Sequence, residues 1–204
     1  MKFLKKIIIN AFLMTLFSIF SLSSIMYINN ITKKKIIDHK EKEKNILFKQ
    51  IIPSNLYYNF KKKHFFVRNK LLGDQKNHNL WLFFKNKVAK AAIVETVAPD
   101  GYSGSIFILV AAYFNGKIIG VRVLSHKETP GIGDKIDISI SNWITKFNNM
   151  NVVNLKDKSF LLKKYGGKIE QFTGASITPQ SVANAVNRTV FFIKEIPLMF
   201  SLKK

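Results

Sequence analysis

The chain contains no cysteine in 204 residues, which excludes disulfides, thiolate metal sites and iron–sulfur ligation. Its four histidines, His39, His64, His78 and His126, have no paired ligand spacing, so nothing in the sequence supports a histidine metal centre. Arginine is scarce: of 33 basic residues only Arg68, Arg122 and Arg188 carry the guanidinium fork on which base-edge recognition relies. Acidic residues are scarce too, 12 in all, and the formal charge is +21, of which the three lysines of the first 28 residues account for little. A charge of that size invites a polyanion partner. Lys, Asn, Ile and Phe are abundant together, however, the set that A/T-rich codons produce, and compositional bias explains the charge equally well.

What is present begins with Ile7–Ile28, 22 residues without a charge. As a helix this run spans about 33 Å against a hydrocarbon core of about 30 Å, long enough to cross a bilayer. Lys2, Lys5 and Lys6 ahead of it and Ser21–Ser24 near its end also suit a cleaved signal peptide. The run exceeds the usual 7 to 15 residues of a signal core and no Ala-x-Ala site follows, so the reading is an uncleaved anchor. Lys33, Lys34, Lys35, Lys40 and Lys42 on the far side lean toward a cytoplasmic carboxy-terminal domain. The length suggests one domain plus this appendage, and 47% hydrophobic content is ample for a core.

Along the chain we expect residues 1–6 as a basic terminus, 7–28 as the transmembrane helix and 29–78 as stalk and linker. Residues 79–197 would be the folded domain and 198–204 a tail. Residues 31–51 read as a charged helix ending before Pro53, and 53–78 as loops around a short Phe65–Val67 strand. Leu80–Phe84, Val88–Thr96, Ile106–Phe114 and Lys117–Leu124 read as strands, the last two joined at Asn115-Gly116, a hairpin signal. Asp134–Phe147 reads as a helix. The order gives an α+β domain, an antiparallel sheet packed with helices, after one amino-terminal transmembrane helix.

Three stretches carry candidate chemistry. In Phe172-Thr173-Gly174-Ala175-Ser176-Ile177-Thr178-Pro179, Thr178 suits an N-cap and Pro179 a first helical position, so a helix should begin at residue 179. Its buried face would be Val182, Val186, Thr189, Val190 and Ile193, with Asn184, Asn187, Arg188 and Lys194 toward water. Gly174 and Ala175 let backbone amides approach an anion, Ser176 offers a hydroxyl, and the helix dipole adds about 0.3–1 kcal/mol, too little to retain a ligand alone. Ser125–Gly133 is a polar loop after the hairpin that needs Gly131 and Gly133 for its backbone angles; His126 and Glu128 have no nucleophile beside them, so no acid–base dyad is assigned. Gly101-Tyr102-Ser103-Gly104 is a tight turn whose Tyr102 either stacks on a ring or covers the core. From the residues alone, a membrane-anchored basic module for anionic lipid or nucleic acid stays open.

In order, Ala98–Gly104, Asn115-Gly116, Gly120–Val123, His126–Lys135, Asp137, Ser141–Phe147, Gly166-Gly167 and Gln171–Gln180 closely resemble the G subunit of the Rnf (Rsx) ion-translocating oxidoreductase complex. The likeness extends to the anchor and to the Leu47–Asn59 stalk with Pro53 and Tyr57. The C subunit of the sodium-pumping quinone reductase is a more distant relative with a similar flavin motif. The resemblance implies FMN joined through its phosphate to the fourth residue of a Ser/Thr-Gly-Ala-Thr motif by a separate flavin transferase using FAD. Here Thr173, Gly174 and Ala175 match, Ser176 stands for the acceptor Thr, and Glu170 for an Asp three residues before the motif. It also implies that Thr173, Thr129 and Thr178 contact the phosphate or ring and that the Tyr102-Ser103 turn and the His126–Gly131 loop line the flavin.

The resemblance further implies an electron-carrier subunit without independent turnover. It would work in a complex coupling electron transfer between ferredoxin and NAD to ion movement, or running in reverse to keep a redox-sensing regulator reduced. Its partners would be the other subunits, the transferase and the bacterial inner membrane, with no nucleic acid. The family puts the amino terminus in the cytoplasm and the flavin domain on the periplasmic side, and we follow it over the lysine count. A subunit that has lost its flavin and serves as scaffold is the third possibility.

Overall fold

The computed structural model describes residues 2–52, 60–86 and 88–201, divided between two units, Met1–Ile46 and Leu47–Lys204. Pro53 and Tyr57 of the expected stalk, and the end of the tail at 202–204, lie outside the described residues.

The first unit is helical throughout, as most of helix α1 (Lys2–Ile51). Its apolar side chains are bare on every side: Met14, Phe17 and Phe20 are 75%, 72% and 69% exposed. A helix that is hydrophobic all round needs an apolar surrounding, and this one is long and apolar enough to cross a membrane. Four of its hydroxyls are turned inward onto the backbone. Thr15, Ser18, Ser24 and Thr32 each donate to the carbonyl four residues back at 2.9 Å, so these four donors are met without water.

In the second unit, strands β1 (Lys61–Val67), β2 (His78–Lys85), β3 (Val88–Ala98), β4 (Ile106–Tyr113) and β5 (Ile118–Ser125) form one sheet in chain order. Every neighbouring pair is antiparallel. The expected four strands are thus present. β1 is longer than expected because its register with β2 starts at Lys61 opposite Phe84, and Lys61–Lys63 blunt an otherwise open edge. The Asn115-Gly116 turn forms with only Gly116 at positive φ, +90, and the Gly116 N–H bonds the Tyr113 carbonyl at 3.0 Å. That is the three-residue form with a glycine bulge rather than a two-residue turn.

Both faces of the central strands are covered. One face, with Leu80, Leu82, Val94, Ile108, Val110 and Val121, packs on helix α2 (Ile177–Ser201), whose Val182, Val186, Thr189, Val190 and Ile193 are all buried as the periodicity predicts. The other face meets Phe48, Ile51 and Ile52, with the Phe48 and Trp81 rings edge-on at 4.7 Å. Arg122 is buried on that side and donates to the Gln50 side chain at 3.2 Å; burial pushes its guanidinium down from its ordinary value.

Three local expectations are corrected. Asp134–Phe147 is not one helix but two 3-10 turns, Asp134–Ile136 and Asn142–Phe147. The Asp137 carboxylate takes the Ser139 amide and hydroxyl, and the Ser141 hydroxyl accepts from the Trp143 amide, so short polar side chains compete with the helical ladder. Helix α2 begins at Ile177, two residues early, and Thr178 lies inside it rather than capping it. Its polar flank does not face open water. Asn187 is buried and donates to the Leu155 carbonyl at 3.0 Å, Lys194 reaches the Val152 and Val153 carbonyls, and Asn184 and Arg188 are half-buried, because the 150–160 segment wraps that side.

Candidate functional site

The start of α2 is set by a turn whose parts are fixed from behind. Trp143 Nε1–H donates to the Glu170 carbonyl at 2.7 Å, and its ring meets buried Phe172 at 5.0 Å. The Glu170 carboxylate pairs with Lys146 and, at 2.8 Å, with Lys163. Gly174 then reverses the chain at φ +81, a left-handed conformation that a side chain strains, and the Ala175 N–H bonds the Phe172 carbonyl at 3.2 Å. Ser176 is the residue immediately before the helix. Its Oγ accepts a hydrogen bond from Lys164 Nζ at 2.6 Å.

The other two stretches converge on the same place through one carboxylate. Glu128 is 5% exposed. One of its oxygens accepts from the Ser103 amide at 3.0 Å and the other from the Thr178 hydroxyl at 2.6 Å. It therefore joins the Gly101–Gly104 turn, the loop after β5 and the first turn of α2. Asp100 adds a second tie, accepting from the Ser181 hydroxyl at 2.7 Å. Gly133 closes against this joint: a Cβ there would lie 2.9 Å from a Glu128 carboxylate oxygen and 3.3 Å from the Thr178 hydroxyl.

The result is a cleft of about 240 Å³ lined by Tyr102, Glu128, Thr129, Ile132, Gly133 and Gly174 through Thr178. Of the residues singled out in the sequence, Tyr102, Thr129, Gly174, Ala175, Ser176 and Thr178 line it. Ser103 instead gives its amide to Glu128, and Thr173 is exposed outside the lining. Thr178 contributes by fixing Glu128, not by capping. The loop expected to line the flavin does bring Glu128 and Thr129 to the cleft, but the joining role of Glu128 and the presence of Lys164 are not apparent from sequence reasoning. Glu128 stands out as the lone carboxylate of a basic loop, a signal that could have found it. Lys164 is one lysine in a chain full of them, and nothing in the sequence distinguishes it.

Chemically the cleft offers an esterifiable hydroxyl beside an ammonium, at a helix start whose free amides and dipole favour an anion. Tyr102, Ile132 and Ile177 add aromatic and apolar lining to the same cleft. These donors fit a flavin nucleotide bound by its phosphate. The volume is below the about 300 Å³ at which a pocket begins to enclose a small molecule, so retention by enclosure is not what this cleft provides.

Residues 101–190 match the FMN-binding domain family. Over its length the chain is similar to proteins described as the G subunit of the ion-translocating oxidoreductase complex. It is 72% identical to that of Buchnera aphidicola subsp. Schizaphis graminum over 202 residues, 99% of this chain and 100% of the relative. It is 44% identical to that of Photorhabdus laumondii, with 83% and 82% covered, and 38% identical to that of Shewanella piezotolerans, with 94% and 91% covered.

Proposed function

This chain belongs to the G-subunit family of ion-translocating oxidoreductase complexes, and from that premise we propose that it is a membrane-anchored flavoprotein subunit carrying FMN esterified to Ser176. The observation that carries the reading is the cleft into which the Tyr102 turn, the Thr129 loop and the Gly174–Thr178 turn are gathered, with the Ser176 hydroxyl at the helix start. Bound there, FMN supplies one- and two-electron redox chemistry. The protein's share is to hold and orient. The α2 amides and dipole favour the residual charge of a phosphodiester, and Tyr102, Thr129 and Ile132 form a wall for the ring. A covalent tether replaces intrinsic affinity, since a linked ligand experiences an effective concentration of millimolar or more.

The wider assignment follows the family. Residues 79–197 form the FMN-binding domain, α1 anchors it in the bacterial cytoplasmic membrane, and the domain lies on the periplasmic side. Other subunits of the complex give and take its electrons, coupling a ferredoxin–NAD exchange to ion movement, and a flavin transferase matures it. The subunit has no turnover of its own.

Coexpression with a flavin transferase and a denaturing gel tests this. The expected result is an in-gel fluorescent band that disappears in Ser176→Ala, with the flavin mass on the peptide containing Ser176. A dark wild-type band from cells with a working transferase overturns the assignment, and dark protein that binds DNA salt-sensitively would favour a basic binding module instead.

A further inference from the structure

We propose that Lys164 is the positioning and counter-charge residue for flavin attachment at Ser176. This inference rests on the flavin reading above and names the group that makes Ser176 the acceptor.

The backbone that carries the lysine is held in place by the fold. The Lys163–Tyr165 segment is a 3-10 turn, ended by Gly166 at φ +83. Behind it the chain folds back so closely that a Cβ on Gly167 would lie 1.9 Å from the Leu161 carbonyl oxygen. The turn is also tied to α2, since Gln180 accepts from the Leu162 amide at 3.0 Å and donates to the Phe160 carbonyl at 3.2 Å. The same first helical turns that follow Ser176 therefore hold the segment that presents Lys164. The ammonium lies 4.7 Å over the Tyr165 ring, which restricts it further.

Charge pairing separates Lys164 from its neighbours. Lys163 and Lys146 both pair with the Glu170 carboxylate and share its single negative charge. Among the described residues no carboxylate pairs with Lys164, and its contact is the Ser176 hydroxyl at 2.6 Å. An ammonium only donates, so Ser176 Oγ is the acceptor in that contact and its own proton is free to leave.

In the transfer, Ser176 Oγ forms a bond to the flavin-side phosphorus of flavin adenine dinucleotide, which the transferase supplies. The pyrophosphate P–O bond breaks, adenosine monophosphate leaves with the bridging oxygen and its electron pair, and the hydroxyl proton goes to solvent. No oxidation occurs. The Lys164 ammonium favours negative charge gathering on Oγ and afterwards faces the single negative charge of the diester, adding a full charge to the partial one of the helix start.

The test is a time course of flavinylation of the full-length protein in detergent with transferase and FAD, read by the mass of the Ser176 peptide and in-gel fluorescence. Lys164 is exposed, so its replacement leaves the core intact. Lys164→Met is expected to slow labelling by about twofold to fivefold at low ionic strength, the upper part of the range for an exposed charge contact. Lys164→Arg should restore most of the rate, and Lys156→Met, at an exposed lysine with no part in the turn, should label like wild type. Labelling of Lys164→Met at the wild-type rate, or of Lys164→Arg as slowly as Lys164→Met, overturns the role of Lys164 while leaving the flavin assignment standing. Unlabelled wild type overturns both.

Discussion

Glu128 shows how one side chain can join three separate segments into a site. Its carboxylate is buried and both oxygens are engaged, by the Ser103 amide and the Thr178 hydroxyl, so removing either donor leaves a desolvated acceptor unmet. An unsatisfied buried acceptor costs about 1–3 kcal/mol. Thr178→Val, which keeps shape and deletes the hydroxyl, should therefore destabilise the domain by about that amount and lower its melting temperature; a melting curve unchanged from wild type would refute the role given to this bond. Sequence spacing puts Glu128 two residues from His126 and suggests only an acid–base pair to be set aside. Its true partners lie 25 and 50 residues away, separations over which spacing carries no signal. The His126 ring instead accepts from the Glu128 amide at 3.1 Å, a local loop contact.

At the scale of elements, what the sequence makes legible is whatever periodicity or turn chemistry enforces. The strands of the hairpin, the Asn115-Gly116 reversal and the apolar stripe of α2 follow from alternation, a glycine at positive φ and spacing by three and four. The Asp134–Phe147 region departs from expectation because polar side chains there bond their own backbone, a competition that apolar periodicity does not register. The same device orders the segment that covers the polar flank of α2. Burial disfavours ionisation of Asp157, but bonds from the Ser159 hydroxyl and amide, the Val153 amide and the charge of Lys168 outweigh it and hold its carboxyl below the usual 3.8. A carboxyl held low when folded stabilises above its unfolded pKa, and that contribution disappears as pH falls through the folded value. The melting-temperature gap between wild type and Asp157→Asn should accordingly be present at pH 6 and shrink below about pH 4. A gap that does not change with pH would mean the carboxylate charge is not what orders this segment.

At the scale of the whole molecule, the two units treat apolar side chains in opposite ways. The helix of the first unit bares Phe, Leu, Ile and Met and satisfies four hydroxyls on its own backbone, whereas the second unit buries its apolar groups on both faces of a sheet. The full-length protein should stay in the membrane pellet after alkaline carbonate extraction, and its release into the supernatant would rule out a spanning helix. The long apolar helix, the antiparallel sheet and the existence of three candidate stretches were settled by the sequence, because hydrophobic run length, alternation and turn residues act over a few neighbouring positions. That Tyr102, Thr129 and Ser176 share one cleft, that Glu128 is the joint between their loops, and that Lys164 rather than any other lysine meets the Ser176 hydroxyl were decided only by the tertiary fold. Those contacts connect residues distant in the chain, and packing of α2 on the sheet, not local preference, determines which of them form.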